Sequence, residues 1–317
     1  MAAVELIEDG GSAAVEDEFF RSAQFLAAER TTHTLLVADD ATGTAVAVPL
    51  LVREIPGSDR RDAISPYSYP GARITSAGEG EPIDATAVDL AASGLVSAFV
   101  RDRLGEPPAF ANPTDRSVVL LADPELPRKS RMSDRQQIRK NEAAGYDVWI
   151  AGGRSASDAD LDGFLSVYTE TMRVVDAAEH YFFDRDYFAE LLRFPRSWLV
   201  TVDGPEGDVA ASALAAISDG FLHYYLSGTA DAHRKRAPSK NLIVACTDLA
   251  EELGLPLNLG GGVKPGDGLE EFKRGFANRE LPFRTHELIC DRAAYAELSR
   301  GRDDDGFFPL YRAPAAG

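Results

Sequence analysis

Residues 199–214 read LVTVDGPEGDVAASAL, and residues 35–50, which read LLVADDATGTAVAVPL, repeat the same pattern earlier in the chain. Each copy has an apolar run, an aspartate (Asp39 or Asp203), a turn with a glycine four residues later (Gly43 or Gly207) and a second apolar run. Two apolar runs joined by a short turn that contains glycine predict a β-hairpin. Two hairpins of the same design predict two copies of one structural unit.

The sequence around the hairpins extends the repeat. A helical pattern precedes each copy, at residues 18–28 and 161–172, and the second copy is followed by a strand at 221–226 and a helix at 242–253 that Gly254 closes. This alternation predicts an α/β (α+β) fold of two tandem domains, each with a mixed central sheet flanked by helices. The expected boundaries are 1–127 for the first domain, 128–145 for a basic connecting helix and 146–317 for the second domain.

Composition restricts the class of protein. A chain of 317 residues that is 44% hydrophobic is typical of a two-domain globular protein. We expect it to be cytoplasmic and without a membrane partner, because no apolar run is long enough to cross a bilayer and the acidic N-terminus does not resemble a signal peptide. Cys246 and Cys290 lie in apolar settings typical of reduced core cysteines. They lack the neighbours of a zinc site, so we expect neither a metal nor a cofactor.

The formal net charge of −18 argues against a surface that attracts nucleic acid everywhere, so a polyanion would need a local basic patch. Residues 128–140 (RKSRMSDRQQIRK) form one patch, and a continuous helix there would place four arginines on one face: Arg128, Arg131, Arg135 and Arg139. A solvated linker helix explains the same run equally well. The second patch lies in a loop that opens a helix, a position that favours anions, and carries Arg234, Lys235, Arg236 and Lys240.

A glycine-rich stretch contains the candidate catalytic group. The short apolar strand at 257–259 runs into Gly260, Gly261 and Gly262, and residues 272–276 then read FKRGF. Consecutive glycines let backbone approach a ligand closely. Lys273, next to Phe272, can place a positive charge where an oxyanion develops, and Arg274 adds a second cation. The alternative is a loop followed by an amphipathic helical turn whose lysine is solvated.

These segments together resemble the Fem family. The resemblance runs from the first hairpin to about Tyr295 and rests on YTETMR at 168–173, YFF at 181–183, YF at 187–188, HYYLSG at 223–228, the three glycines and FKRGF. In the first half, SPYSYPG at 65–71 is similar to the family's Pro- and Gly-rich loop near the acceptor site. The most specific element is the pair Phe272-Lys273, which matches the family's Phe-Lys pair beside the reacting ester.

The resemblance implies a fold of two GNAT acetyltransferase domains and transfer of an amino acid from aminoacyl-tRNA to the free amine of a small acceptor. Lys273 would stabilise the oxyanion or bind the terminal phosphate, and Phe272 would orient it. The acceptor would lie near Tyr187, Tyr225, Tyr67, Tyr69 and Arg173. The two basic patches and Arg274 would contact tRNA phosphates. No covalent intermediate is required, and the sequence has no nucleophile–base motif such as G-x-S-x-G.

Departures from the family narrow this expectation. Fem enzymes that modify cell-wall precursors place an arginine four residues before the tyrosine matched by Tyr187, and here that residue is Phe183. The coiled-coil arm of some members also has no counterpart. Small, acidic, armless members resemble those of antibiotic biosynthesis, which implies a small peptide, carrier-protein-bound or nucleoside-linked acceptor.

Two other functions fit the same fold. The first is CoA-dependent N-acylation, for which GNAT enzymes use a glycine-rich pyrophosphate loop; here residues 234–239 read RKRAPS and contain no glycine. The second is a non-catalytic binding module, since a fold does not determine function.

Overall fold

The computed structural model describes residues 3–76, 81–262, 264, 266–303 and 306–314. The strands are β1 Ala3–Ile7, β2 His33–Asp39, β3 Thr44–Glu54, β4 Arg61–Ile64, β5 Arg73–Ile74, β6 Leu95–Arg101, β7 Thr114–Ala122, β8 Asp147–Gly152, β9 Ser197–Asp203, β10 Val209–Ser218, β11 Phe221–Thr229, β12 Leu257–Gly260 and β13 Arg279–Ile289. The α-helices are α1 Ala23–Ala28, α2 Met132–Ala143, α3 Asp158–Val174, α4 Arg185–Leu192, α5 Ser239–Leu253, α6 Gly268–Arg274 and α7 Arg292–Leu298.

The chain forms two compact units. Unit 1 comprises Met1–Glu16, Phe20–Arg116 and Pro282–Gly317, and unit 2 comprises Asp17–Phe19 and Ser117–Leu281. In unit 1 the strands follow the order β1-β2-β3-β4-β6-β13, in which only the β4–β6 pair is parallel. The short strand β5 pairs separately with β3.

Unit 2 repeats this arrangement. Its strands follow the order β8-β9-β10-β11-β12-β7, and here too the parallel pair, β11–β12, is the fourth in the order of pairing. In both sheets, taken in this order, the first three strand pairs are antiparallel, the fourth is parallel and the fifth is antiparallel. Both hairpins that the sequence predicts are present, as β2–β3 and β9–β10. The mixed sheets and flanking helices confirm the predicted fold class.

The boundaries of the units differ from those expected at 127 and 146. The last strand of the unit 1 sheet is β13, which comes from the end of the chain, and the last strand of the unit 2 sheet is β7, which precedes α2. Strand pairing satisfies backbone hydrogen-bonding groups wherever the partner lies along the chain. Residues 282–317, expected in the second domain, group with unit 1, and residues 117–127, expected in the first, group with unit 2.

Two predicted helices are shorter than expected. The 18–28 segment has a 3-10 turn at Phe19–Arg21 before α1, which Ser22 caps by accepting a hydrogen bond from the Phe25 amide at 3.1 Å. The expected basic helix at 128–145 begins only at Met132, because Arg131 is an extended N-cap residue. By contrast, α5 ends as predicted at Gly254, which has a left-handed φ of 68°.

Each unit has its own apolar core. In unit 1 the core includes Leu35 of β2, Val48 of β3 and Val100 of β6. In unit 2 it lies between the sheet and α5 and includes Val200, Leu242 and Cys246. No helix in the described ranges has both the length and the apolar character needed to span a bilayer.

Candidate active site

The three consecutive glycines at 260–262 are required for two reasons, backbone conformation and lack of space for a side chain. Gly260, at the end of β12, has a left-handed φ of 72°. A Cβ atom on Gly261 would lie 2.8 Å from the carbonyl oxygen of Val118, and one on Gly262 would lie 2.4 Å from the Asp267 carboxylate. No side chain fits at either position without displacing a neighbour. The glycines therefore allow the backbone to follow a tight path, and they would also let a ligand approach the backbone closely.

This path leads the chain past Lys273. The Lys273 ammonium donates a hydrogen bond of 2.8 Å to the carbonyl oxygen of Gly261. Burial lowers the pKa of Lys273 to about 8, and the nearby Asp267 carboxylate only partly opposes this effect. An ammonium that has lost much of its hydration and keeps free N–H donors binds a developing negative charge more strongly than a solvated one does. In the structure Lys273 is partly buried and bonded to a backbone carbonyl, whereas the alternative expected a lysine that is simply solvated.

Helix α6 holds Lys273 in place. Asp267 caps it by accepting a hydrogen bond from the Glu270 amide at 2.8 Å and also accepts from the Lys264 amide at 2.9 Å. Phe272 packs against the core of unit 2, and its ring meets that of the buried Phe276 edge to face at 5.7 Å. The lysine therefore projects from a helix that is anchored at its N-cap and along its apolar face.

Arg274, expected to bind phosphate, lies between two carboxylates. It contacts Glu270 at 2.6 Å and also Glu280. A hydrogen bond from the Gly266 amide, reinforced by Arg274, holds the pKa of the buried Glu270 below its usual value. Part of the charge of Arg274 is thus neutralised within the chain.

A buried hydrogen-bonded chain supports the start of the glycine path. The Nε2 atom of His223 lies 3.0 Å from the carbonyl oxygen of Ser218, and its Nδ1 atom lies 2.8 Å from the side-chain nitrogen of Asn258. The carbonyl requires a donor, so Nε2 carries the proton and Nδ1 accepts from Asn258. The Asn258 oxygen in turn accepts from the Gly260 amide at 2.7 Å. His223 and Asn258 thereby position the residue at which β12 turns towards Lys273.

The structure brings together two of the tyrosines expected near the acceptor. The hydroxyls of Tyr187 and Tyr225 lie 2.9 Å apart. The ring of Tyr187 stacks on Phe183 at 4.0 Å, and Phe19 packs edge to face on Tyr225 at 5.5 Å. Phe183, at the position of the family's arginine, therefore provides an aromatic face instead of a charge.

Tyr67, Tyr69 and Arg173 are the other residues expected near the acceptor. Tyr67 and Tyr69 belong to unit 1, where the Tyr67 amide donates to Glu29 at 2.9 Å and the Tyr69 ring packs edge to face on Phe20 and on Phe283. Arg173 is exposed in the last turn of α3. Their roles in binding an acceptor remain predictions.

The four arginines of the first basic patch do not form one stripe, because α2 begins only after Arg131. Arg128 pairs with Asp248 at 2.6 Å, and Arg131 contacts the carboxylate and the carbonyl oxygen of Glu271. Arg135 and Arg139, four residues apart on α2, are exposed. Arg131 thus ties α2 to α6, whereas Arg135 and Arg139 point towards solvent.

Helix α2 covers the beginning of α5, where the sequence predicted an anion site. The Asp134 carboxylate is buried and lies 2.8 Å from the Lys240 ammonium. The side chain of Asn141 donates to the carbonyl oxygen of Arg236 at 2.9 Å and to the side chain of Asn241 at 2.8 Å. An internal carboxylate therefore already neutralises Lys240, which the sequence had predicted to bind phosphate.

The other members of the second patch lie in a 3-10 helical segment, Asp231–Arg236. Arg234 pairs with Asp231 at 2.6 Å, and Lys235 and Arg236 are exposed. His233 anchors the segment, since its Nδ1 atom is 2.8 Å from the Tyr146 hydroxyl and its Nε2 atom is 2.8 Å from the Asp208 carboxylate. The hydrogen bond from His233 lowers the pKa of Asp208.

Neither cysteine has the environment of a nucleophile. Cys246 and Cys290 are free and buried, and burial raises the pKa of both thiols, that of Cys290 to about 12. A buried thiol of high pKa has little thiolate and little reactivity. Among the residues that the structure describes, no cluster of three or more His, Cys, Asp or Glu side chains could hold a metal ion.

Sequence reasoning missed three residues that shape the site: His223, Asn258 and Asp134. The sequence contains a feature that could have indicated two of these residues. Asn258 interrupts the apolar strand between Leu257 and Leu259, and Asp134 is the single acid among the six bases of residues 128–140. A polar residue inside an apolar strand usually has a buried partner.

Comparison with known proteins agrees with this architecture. The profile of the acetyltransferase (GNAT) domain family matches residues 128–274. No curated protein matches the chain in sequence. The crystal structure of FemX is similar with a TM-score of 0.62 at 10% identity, covering 91% of this chain and 96% of that one.

Two further solved structures are similar. L-PGS from Bacillus licheniformis has a TM-score of 0.53 at 12% identity, covering 82% of this chain and 85% of its own. The C-terminal domain (DUF2156) of a putative lysylphosphatidylglycerol synthetase from Agrobacterium fabrum has a TM-score of 0.52 at 11% identity, covering 88% of each chain. At such low identity these similarities establish the fold alone. The chain has a tandem GNAT fold.

Proposed function

We propose that this protein is an acyltransferase that moves an amino acid from aminoacyl-tRNA to the free amine of a small acceptor, forming a peptide bond. The acceptor amine attacks the carbonyl carbon of the ester, and the resulting tetrahedral oxyanion collapses with release of the ribose 3′ oxygen. That oxygen takes up the proton that the amine loses, with a neighbouring ribose hydroxyl as the relay. The reaction is therefore balanced without a protein nucleophile.

The position of Lys273 supports acyl transfer. One of its N–H groups is taken by Gly261, and the other two remain available as donors to an oxyanion. The ester is already activated, so the protein has mainly to align the reactants, and alignment can lower a barrier by about 7–11 kcal/mol. Loss of a single oxyanion donor costs about 10²–10³ in rate in other enzymes.

One observation supports aminoacyl-tRNA rather than an acyl-CoA as the donor. The buried Asp134 carboxylate lies against Lys240 at the start of α5. GNAT enzymes that use CoA bind its pyrophosphate between a strand and a helix, at the position that β11 and α5 have here. Helix α2 occupies this position, with a carboxylate in place of a phosphate. A pyrophosphate there would be repelled by Asp134 and would have to displace the bonds that Asn141 makes.

The fold also supports an aminoacyl donor, since FemX and two lysylphosphatidylglycerol synthetase-type proteins share it. Phe183 in place of an arginine, stacked on Tyr187, favours an acceptor without the phosphates of a cell-wall nucleotide. We infer a peptidyl or nucleoside-linked acceptor in cytoplasmic antibiotic assembly, of the type in which an alanyl-tRNA-dependent transferase extends pacidamycin.

The test is a transfer assay with a pool of charged tRNAs, each carrying a labelled amino acid, and a set of small amine acceptors. We expect one labelled amino acid to enter a product with an RNase-resistant amide bond, and the transfer to be abolished when RNase precedes the enzyme. Transfer from acetyl-CoA, with none from any charged tRNA, would instead support the CoA-dependent alternative, to which the GNAT profile also applies.

A further inference from the structure

Helix α6 is short, and Lys273 lies in its last turn. The helix has seven residues, Gly268–Arg274. Isolated helices shorter than about 12–15 residues are only marginally stable in water, so the position of this turn depends on the elements that pack against it. One is the core of unit 2, which Phe272 contacts. Another is the first turn of α2, which contacts α6 through Arg131 and at Gly275.

The contact through Arg131 caps the end of α6. A helix leaves its last four carbonyl groups without intrahelical amide partners. Here the Gly275 amide donates to the carbonyl oxygen of Phe272 at 3.1 Å, and not to that of Glu271. The guanidinium of Arg131 donates to the Glu271 carbonyl oxygen at 3.1 Å and also contacts the Glu271 carboxylate. Arg131, the N-cap residue of α2, thereby supplies a donor to the end of α6.

The contact at Gly275 depends on the absence of a side chain. The φ angle of Gly275 is −63°, which any residue adopts, so the backbone conformation does not require glycine here. The available space does, because a Cβ atom at this position would lie 3.2 Å from the Asp134 carboxylate and 3.4 Å from the Nε atom of Arg131. Asp134 is buried and paired with Lys240, so it cannot move aside without weakening that pair. A side chain at Gly275 would therefore push α6 and α2 apart by a few tenths of an ångström.

These contacts affect Lys273, which lies two residues before Gly275. The Lys273 ammonium is 2.8 Å from the carbonyl oxygen of Gly261, within the usual range for a hydrogen bond. A displacement of α6 would lengthen this bond and let more water reach the ammonium. Misplacement by about 1 Å can cost about 10²-fold in rate, so a smaller shift would also slow the proposed reaction.

We propose that Arg131 and Gly275 are positioning residues for Lys273, because through them the first turn of α2 holds the last turn of α6 beside the glycine path. Neither residue needs to touch a substrate for this role. The expected effect on the rate rests on the proposed function, which gives Lys273 its catalytic role, whereas the expected effect on the ammonium does not. An exposed ion pair such as that of Arg131 usually contributes little to stability. Removal of Arg131 should therefore affect Lys273 more than it affects folding.

Gly275→Ala tests the close contact, and Gly268→Ala is its matched control. Gly268 belongs to the same helix, and a Cβ atom there would meet nothing within 4 Å. In the transfer assay kcat should fall about tenfold in Gly275→Ala, with KM for both substrates unchanged, because the shift misplaces Lys273 without altering either binding surface. Gly268→Ala should keep the kcat and KM of the wild type.

A second measurement follows Lys273 without any substrate. Competitive labelling with acetic anhydride at several pH values, analysed by mass spectrometry, gives the pKa of this amine. In the wild type the pKa should be about 8, because burial disfavours the ammonium. In Gly275→Ala the pKa of Lys273 should rise towards 10.5, the value of a solvated lysine, because the displaced ammonium regains water. In Gly268→Ala it should not change. A general loss of stability that leaves Lys273 in place would not move this pKa.

Arg131→Ala tests the helix cap, and it keeps the proposal testable if Gly275→Ala does not fold. Its control is Arg185→Ala, because Arg185 is also half exposed and makes ion pairs with two aspartates, but on α3. Arg131→Ala should lower kcat and raise the pKa of Lys273. Arg131→Gln, which keeps an N–H donor for the end of α6, should restore part of both effects. Arg185→Ala should match the wild type in both measurements.

The proposal requires both effects in both variants. A folded Gly275→Ala or Arg131→Ala protein with the wild-type kcat, or with the wild-type pKa of Lys273, would overturn it, as would equal changes in the controls. The proposed function can fail separately. If charged tRNA is a donor but the labelling of Lys273 is the same in all variants, the function stands and the positioning role is wrong. If no charged tRNA is a donor, the labelling alone decides whether Arg131 and Gly275 position Lys273.

Discussion

The Lys273 ammonium lies 2.8 Å from the carbonyl oxygen of Gly261, so the glycine path and the candidate catalytic lysine form one hydrogen-bonded unit. This bond fixes the direction of a side chain that would otherwise have several rotatable bonds. It leaves two N–H donors for a substrate. We therefore expect the backbone conformation of the glycine path to affect the catalytic role that we propose for Lys273.

The first prediction concerns the charge of Lys273. Lys273→Met keeps most of the aliphatic stem and removes the ammonium, so the transfer rate should fall by about 10²–10³ fold. Folding should survive, because the variant no longer buries a charge whose pKa is already depressed. Lys273→Arg should restore little activity, since a planar guanidinium does not reproduce a compact point charge. A folded Lys273→Met protein with near-normal single-turnover transfer would show that Lys273 is not the oxyanion donor.

The second prediction concerns pH. The pKa of Lys273 is about 8 when folded, against 10.5 for a free lysine, so between these values the unfolded state binds more protons. The free energy of unfolding of the wild type should therefore rise with pH across this interval, relative to Lys273→Met. The transfer rate should fall as pH rises through about 8, because only the ammonium form stabilises the oxyanion. Chemical denaturation and kcat measured at several pH values check both effects.

A third prediction separates backbone strain from catalysis at Gly260. Both Gly260 and Gly207 have left-handed φ angles, of 72° and 81°. A Cβ atom on Gly260 would lie 3.4 Å from the Lys273 nitrogen, whereas one on Gly207 would meet nothing within 4 Å. Each change to alanine should lower stability by about 1–2 kcal/mol. Only Gly260→Ala should also lower kcat; equal activity in the two variants would argue against the coupling.

The fourth prediction concerns Asn258, which we infer to be a positioning residue. Asn258→Ala removes the hydrogen bonds that Asn258 makes with the buried Nδ1 of His223 and with the Gly260 amide, which should cost about 1–3 kcal/mol for each lost bond. It should also lower kcat more than it changes KM. Asn258→Asp keeps the acceptor for the Gly260 amide and should retain more activity than Asn258→Ala. Equal kcat values in these two variants would mean that the bond to Gly260 does not position the site.

The fifth prediction concerns CoA. Because Asp134 and Asn141 occupy the start of α5, isothermal calorimetry should detect no micromolar binding of acetyl-CoA. A CoA-dependent tandem GNAT protein, titrated under the same conditions, provides the positive control. Micromolar binding together with turnover on an amine would contradict the proposed donor.

The sequence by itself determined the class of fold. The repeated hairpins, the helix that Gly254 closes and the alternation of helices and strands follow from local periodicity and turn chemistry, which depend on neighbouring residues. The sequence also indicates the candidate lysine, through the resemblance of Phe272-Lys273 to the Phe-Lys pair of the Fem family.

Only the tertiary structure decided the boundaries of the units and the state of the charges. Strand β13 completes the sheet of unit 1 because hydrogen bonding pairs strands that are distant along the chain, and no local pattern reports the partner. The sequence alone does not show which carboxylate pairs with a given lysine or arginine. Lys240 is neutralised by Asp134, 106 positions away, whereas Lys129 and Arg139 have no carboxylate partner among the residues that the structure describes. Lys273 becomes a poorly hydrated ammonium only when the glycine path folds beside it, because desolvation is a property of the packed chain.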